Sequence, residues 1–253
     1  MRLMLRPIPI MLSFVLLFAA GCALSQGDKN RSIYHYQMGQ SFYAENNYTG
    51  ALLELSEAEK LTPRDPDLLN LLGLTYYRKG RYDLAEAKYL KAIDRKERFS
   101  DARNNLGVNY LEMKRWDDAI EQFKLVQDDI FYQGQDGVAI NLGLAYLGKG
   151  EYQQALTVLR NEVAKNGSDP RIRLNLGRVY FALQKNELAV EEYQKALQLN
   201  RSYASAYYHL GLAQMKLKDA DAAKSAFQDV VRLAPDSEIG QLSREYLELL
   251  KVR

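Results

Sequence analysis

One period runs through most of this chain. A glycine that follows Leu or Met recurs every 34 residues, except across one interval of 36 residues. These glycines are Gly39, Gly73, Gly107, Gly143, Gly177 and Gly211. An alanine follows each of them at a constant distance, at Ala51, Ala85, Ala119, Ala155, Ala189 and Ala223. Because self-similarity at such a period is typical of stacked supersecondary units, the sequence predicts six copies of one unit.

Each copy has the pattern of two amphipathic helices joined by a short turn. One apolar stripe includes the glycine and a second includes the alanine, both at helical spacing. Turn sequences such as RKGRY and GKGEY lie between the stripes. The small residues predict points where two helix backbones approach, so a larger side chain there would cost about 1–3 kcal/mol.

This pattern resembles the tetratricopeptide repeat family. The resemblance implies an all-α fold, a right-handed superhelix of six helix-turn-helix repeats whose concave face is lined by the first helix of each repeat. The repeats are expected at 32–65, 66–99, 100–135, 136–169, 170–203 and 204–237. The amphipathic stretch at 238–253 is expected to form a C-terminal capping helix over the last repeat.

The N-terminus has the pattern of an export signal. Arg2 and Arg6 precede an apolar run that is too short to span a bilayer comfortably, so residues 1–21 are predicted to be a signal peptide. Small residues then precede Cys22, the only cysteine of the chain. A single cysteine cannot form an internal disulfide, so an unpaired thiol in an exported protein needs a separate explanation.

The residues around Cys22 resemble the lipobox of bacterial lipoproteins. The resemblance implies that Cys22 becomes the lipidated first residue, that 22–31 form a tether, and that acyl chains provide the membrane contact. Ala23 after the cysteine favours the periplasmic face of the outer membrane. The alternative is an ordinary signal peptide followed by an incidental free thiol.

The charge balance argues against two classes of partner. The formal net charge is +2, and both excess positive charges lie in the predicted signal peptide, at Arg2 and Arg6. A neutral body does not suit nucleic acid, whose phosphates require a basic surface. It equally does not suit broad adhesion to an anionic membrane.

The sequence offers little to an enzyme. His35 and His209 are the only histidines, and neither has a carboxylate or thiol neighbour at metal-ligand spacing. No glycine-rich phosphate-binding motif is present. We therefore predict no catalysis, no metal, no cofactor and no small-molecule substrate.

What remains is the concave face of the predicted superhelix. The resemblance places nine residues of the second, third and fourth repeats in this groove: Asn70, Leu74, Tyr77, Asn104, Val108, Leu111, Ile140, Leu144 and Leu147. An apolar groove with polar rims suits an extended or helical apolar peptide. The alternative is that these side chains only complete the packing between neighbouring first helices.

One known peptide-binding mode of the family is missing. The co-chaperone class clamps a C-terminal carboxylate with Lys and Asn from its first and third repeats. The matching positions here are Tyr36, Gln40, Asp101 and Asn105, which do not reproduce that set. We therefore do not expect this chain to bind the C-terminal peptides of chaperones.

The long interval carries a second resemblance. Asn104–Gly107, Lys114–Ala119 and the segment DIFY that ends at Phe131 and Tyr132 resemble the secretin pilotins of type IV pili, outer-membrane lipoproteins of six such repeats. Phe131 and Tyr132 are expected to pack into the gap made by the two extra residues. The alternative is a tolerated loop extension.

This second resemblance implies a protein partner. The chain would bind secretin subunits, or another component of the pilus machinery, and promote their localisation and multimerisation in the outer membrane. The competing hypothesis is a lipoprotein scaffold that organises other envelope proteins, such as peptidoglycan hydrolases.

Overall fold

The computed structural model describes residues 25–251, which form thirteen α-helices and no strand. The all-helical prediction is confirmed. The helices are α1 Gln26–Ala44, α2 Tyr48–Leu61, α3 Pro66–Arg78, α4 Tyr82–Arg95, α5 Ser100–Glu112, α6 Trp116–Gln127, α7 Gln135–Lys149, α8 Tyr152–Lys165, α9 Pro170–Ala182, α10 Asn186–Leu199, α11 Ala204–Lys216, α12 Ala220–Leu233 and α13 Glu238–Lys251.

The helices form the superhelix of a repeat protein. Each helix packs against the next one in the chain, and the first helices of successive repeats also contact each other, from α1 and α3 through to α9 and α11. Helix α13 packs on α12 and α11 at the C-terminal end. Contacts are therefore confined to near neighbours, as in a stack of one repeated unit.

The glycine of each repeat is a contact point between the two helices of that repeat, as predicted. An added Cβ at Gly73 would lie 2.5 Å from Cε1 of Tyr89, and one at Gly107 would lie 2.5 Å from Cε1 of Phe123. The side chain of the second helix therefore lies across the glycine. A larger residue at the glycine would therefore overpack against this side chain, as predicted.

The first helix begins earlier than the repeat pattern predicted. Ser25 caps α1 by accepting a hydrogen bond from the backbone N–H of Asp28 at 3.1 Å, and the helix starts at Gln26. The last six residues of the predicted tether are thus helical. The predicted signal peptide and Cys22 lie outside the described residues.

The long interval forms an ordered loop between α6 and α7. The Asp129 carboxylate accepts hydrogen bonds from the backbone N–H of Phe131 and from the hydroxyl of Ser100. The Gln135 amide donates to the carbonyl of Asp129 at 2.7 Å. These bonds fix the loop to the start of α5 and to the start of α7.

This loop exposes an aromatic side chain that was expected to be buried. Phe131 is 86% exposed and Ile130 is 83% exposed, so the prediction that Phe131 packs into the gap is wrong. The Asp129 carboxylate accepts a hydrogen bond from the Phe131 backbone N–H in this loop, and both side chains lie in solvent. Tyr132 is half-buried and packs against the core.

Candidate functional site: the concave groove

All nine predicted groove residues lie on first helices that contact one another. Asn70, Leu74 and Tyr77 lie on α3, and the other six are divided equally between α5 and α7. Ile140 is buried and the remaining eight are half-buried. The apolar members pack against the core, so they also contribute to packing between neighbouring helices.

The front of the groove contains an acidic pocket of about 390 Å³. Its lining residues come from the first three repeats: Tyr36, Asp65, Asp67, Asn70, Leu71, Leu74, Phe99 and Asp101. The Asn105 amide donates to Oδ1 of Asn70 at 3.0 Å and so links α5 to α3. Burial raises the pKa of the Tyr36 hydroxyl, and Asp67 and Asp65 raise it further.

A second pocket of about 390 Å³ adjoins the first and shares Phe99 and Asp101 with it. Its other lining residues are Lys96, Arg98, Ser100, Asp129, Phe131, Tyr132, Gln133 and Gly134. Lys96 Nζ lies 4.1 Å from the centre of the Phe99 ring. The groove therefore continues to the exposed loop between α6 and α7.

The sequence hypotheses missed Phe99, although it lines both pockets. Phe99 precedes the first residue of α5 and is almost fully buried. The repeat pattern described helix faces, whereas Phe99 lies in the connection between two repeats. Its signal was a large aromatic residue directly before a helix start, where a polar cap is usual.

The middle of the groove combines apolar side chains with two polar groups. The Tyr77 hydroxyl donates to Oε1 of Glu112 at 3.4 Å. Burial first, and then the Glu112 charge, raise the pKa of Tyr77 to about 12. Oδ1 of Asn104 is buried and has no hydrogen-bond partner within the described residues.

The rear of the groove is basic. Arg178 of α9 is half-buried, and its Nη1 donates to Oδ1 of Asn175 at 3.0 Å. Burial lowers the pKa of the Arg178 guanidinium. Burial and the Arg178 charge together lower the pKa of His209, on α11, to about 4. The imidazole of His209 is therefore neutral at neutral pH.

Residues 25–251 contain no cluster of three or more His, Cys, Asp or Glu side chains that could hold a metal ion. In the same range no helix combines the length and apolar character needed to cross a bilayer. His35 does have a carboxylate neighbour, because the fold brings Nδ1 of His35 within 2.8 Å of Oε2 of Glu54, which sequence spacing did not reveal.

Family models agree with the helix pairs. A model described as TPR repeat matches residues 39–80 and 177–218, and models described as tetratricopeptide repeat match 64–128, 139–171 and 204–237. The chain is a tetratricopeptide repeat protein. Such repeats mediate protein–protein interactions, and their scaffold families are generally non-enzymatic.

The tetratricopeptide chain is similar to pilus proteins along most of its length. It is 25% identical to the type IV pilus assembly protein PilF of Pseudomonas aeruginosa, over 83% of both chains. A solved structure of Pseudomonas aeruginosa PilF matches 87% of this chain and 99% of that chain, with 22% identity and a TM-score of 0.68. The relationship to PilF is homology at low identity.

A further solved structure has the same fold. PilW, described as a widely conserved type IV pilus biogenesis factor, matches 83% of this chain and 97% of that chain, with a TM-score of 0.75. The identity is 18%, so this match shows a common architecture. In both structures the match covers almost the whole of the other chain.

Proposed function

We propose that this protein is a pilotin of type IV pilus biogenesis. In this role it is an outer-membrane lipoprotein that binds secretin subunits and promotes their localisation and multimerisation. The observation that carries the proposal is similarity to PilF over 83% of both chains, since a chance match between repeat proteins commonly covers only part of the longer one. The coarser assignment, a tetratricopeptide protein related to pilus biogenesis proteins, is common to both hypotheses from the sequence.

The groove supports binding of an apolar segment of the secretin subunit. Leu111, Leu144 and Leu147 form an apolar floor. The exposed Ile130 and Phe131 extend the apolar surface beyond the second pocket. Adjacent large apolar side chains at such exposure are characteristic of interaction sites.

The proposed anchor is lipid attached to Cys22. Two or more acyl chains are needed for stable attachment, since each buried methylene contributes about 0.8 kcal/mol. Helix α1 starts four residues after Cys22, so the repeats would be held close to the membrane surface. In this scheme the lipid determines location and the groove determines the partner.

The first experiment is deletion of this protein, followed by measurement of detergent-resistant secretin multimers in the outer-membrane fraction. We expect the multimers to be lost and to be restored by the wild type. The Cys22→Ser form should leave the membrane fraction and fail to restore them. Unchanged multimers in the deletion strain would overturn the pilotin proposal.

A second arm addresses the scaffold hypothesis. Capture with the wild-type chain should recover secretin, whereas Phe131→Ser with Ile130→Ser should recover less of it at unchanged stability. Recovery of peptidoglycan hydrolases without secretin would instead support a scaffold for other envelope proteins. Membrane association that persists in Cys22→Ser would show that lipid at this residue is not the anchor.

A further inference from the structure

The rear of the groove contains an arginine that lacks a counter-charge. Arg178 is half-buried on α9 and donates one hydrogen bond, to Oδ1 of Asn175. Among the described residues no carboxylate lies within ion-pair distance of its guanidinium, and burial lowers its pKa against the smaller effects of Tyr193 and Tyr203. A guanidinium has five N–H donors, so most of its hydrogen-bonding capacity is unused.

Two other arginines of the same helix have the carboxylate partner that Arg178 lacks among the described residues. Arg171 forms a two-pronged pair with Asp169, with N to O distances of 2.6–3.1 Å. Arg173 donates to Oε2 of Glu192 at 3.0 Å. Burying a charge without a partner is unfavourable, which is consistent with the lowered pKa of Arg178. An anion bound beside Arg178 would remove this cost.

The groups around Arg178 are also hydrogen-bond donors. The Tyr193 side chain is fully buried, and its hydroxyl has no partner within residues 25–251. Its ring lies across Gly177 and stacks on His209 with centroids 5.8 Å apart. The half-buried Tyr203 is close enough that the Arg178 charge lowers its pKa against the effect of burial, and the same holds for Tyr193.

We propose that Arg178, oriented by its hydrogen bond to Asn175, forms a carboxylate-binding subsite at the rear of the groove. A planar guanidinium matches a carboxylate through two parallel N–H···O bonds. The carboxylate belongs to a polypeptide in the groove, as its C-terminus or as an Asp or Glu side chain. The proposal rests on the groove binding a polypeptide and does not require that polypeptide to be a secretin.

This subsite differs from the clamp of the co-chaperone repeats. That clamp uses the first and third repeats, where this chain has Tyr36, Gln40, Asp101 and Asn105. Arg178 and Asn175 lie in the fifth repeat, at the opposite end of the groove from the acidic pocket. A polypeptide held by both ends of the groove would therefore place its negative charge at the rear.

The test is an NMR titration of the purified full chain with three probes. N-acetyl-leucine carries a terminal carboxylate, N-acetylglutamate α-amide carries a side-chain carboxylate, and N-acetyl-leucine amide carries none. The resonance to follow is the Nε–H of Arg178, identified by its absence from the Arg178→Gln spectrum. We expect saturable shifts with one or both carboxylate probes and no shift with the amide.

Matched variants on one helix provide the controls. Arg178→Gln should weaken binding of the carboxylate probe at least about tenfold, measured on the Tyr203 ring signals. Arg178→Lys should retain part of the affinity, because it keeps the charge and loses the planar fork. Arg173→Gln removes the same charge from α9 and should leave the affinity unchanged.

Three results would overturn the subsite. They are an Arg178 resonance unmoved by both carboxylates, an equal shift with the amide, or an equal loss of affinity in Arg173→Gln. Which carboxylate binds identifies the source. The titration contains no secretin, so its failure is distinguishable from failure of the pilotin proposal, which the multimer measurement tests.

Discussion

Two surfaces of the molecule differ in how similar they are from repeat to repeat. One is the interface between the two helices of a repeat, and the other is the concave groove. In every repeat a large side chain lies across the glycine, at Leu55, Tyr89, Phe123, Leu159, Tyr193 and Phe227. The groove instead changes along the chain, from acidic at Asp67 and Asp101, through apolar at Leu144, to basic at Arg178. The chain thus repeats the residues that stack its units and varies those that face a partner.

The largest expected effect is a loss of partner affinity without a loss of helical structure, which distinguishes the groove from the interface inside each repeat. Replacing Leu111 and Leu144 together with Glu places two charges in the apolar part of the groove, where each must be desolvated when the partner binds. We expect binding of the proposed secretin partner to weaken at least about 100-fold, measured as the Kd of the purified proteins. The helical circular dichroism signal should persist.

The control for this pair is Leu53→Glu. Leu53 is 67% exposed on α2, so the same change there should leave the Kd unaltered. Since Leu111 and Leu144 are half-buried, the melting temperature of each variant must be measured beside its affinity. An unchanged Kd in a folded double variant would refute the assignment of the groove.

The comparison also explains which features the sequence could predict. The glycine and alanine positions fix the phase of the helices and allowed the repeat fold to be predicted, and the amphipathic stretch at 238–253 predicted the C-terminal helix. The early start of α1 had a local signal as well, since Ser25 followed three residues later by Asp28 is a capping pattern. This signal lies before the first 34-residue copy, so the period does not include it.

The groove's particular chemistry was harder to predict. The pairing of His35 with Glu54 joins residues nineteen positions apart on two helices. The unpaired state of Arg178 depends on every carboxylate that could have reached it. Phe131 is exposed in a loop whose backbone is bonded to the Asp129 side chain. Such properties follow from three-dimensional neighbours, which a one-dimensional period does not specify.

The second prediction concerns His209, where the groove meets the repeat interface. Burial, and then Arg178, lower its pKa to about 4, against about 6.5 for an unperturbed histidine. The unfolded chain therefore takes up the proton first as pH falls. The contribution of neutral His209 to the free energy of unfolding is fully present above about pH 6.5. As the pH falls from there to 4, this contribution decreases by roughly 2–3 kcal/mol.

Chemical denaturation at pH 7 and pH 4.5 would measure this loss. In His209→Phe the ring that stacks on Tyr193 is retained while the titrating group is removed. We expect the free energy of unfolding of this variant to fall less on acidification than that of the wild type. Equal losses in the two proteins would show that His209 does not couple folding to pH.

A third prediction uses two glycines on neighbouring first helices. A Cβ at Gly107 would lie 2.5 Å from the Phe123 ring, whereas one at Gly137 meets no atom within 4 Å. Gly107→Ala should lower the free energy of unfolding by about 1–3 kcal/mol. Gly137→Ala should leave it unchanged or raise it by up to about 1 kcal/mol, because alanine favours the helix. Similar effects at both sites would contradict the ring-over-glycine contact.

The smallest expected effect lies in the turn between the two helices of a repeat. All six turns place a residue in the left-handed region, but glycine occupies it only at Gly80 and Gly150. Lys114 has φ of 57° at the equivalent position of the third repeat, so Lys114→Gly should raise the free energy of unfolding by up to about 1 kcal/mol.

The substitution Gly80→Ala is the matched reverse of Lys114→Gly. A Cβ at Gly80 meets no atom within 4 Å, so Gly80→Ala adds backbone strain without a clash and should cost about 1 kcal/mol. Both variants are far from Arg178, and both should leave carboxylate binding unaltered. If either turn variant changed that affinity, the stacking of the repeats and the chemistry of the groove would not be separable.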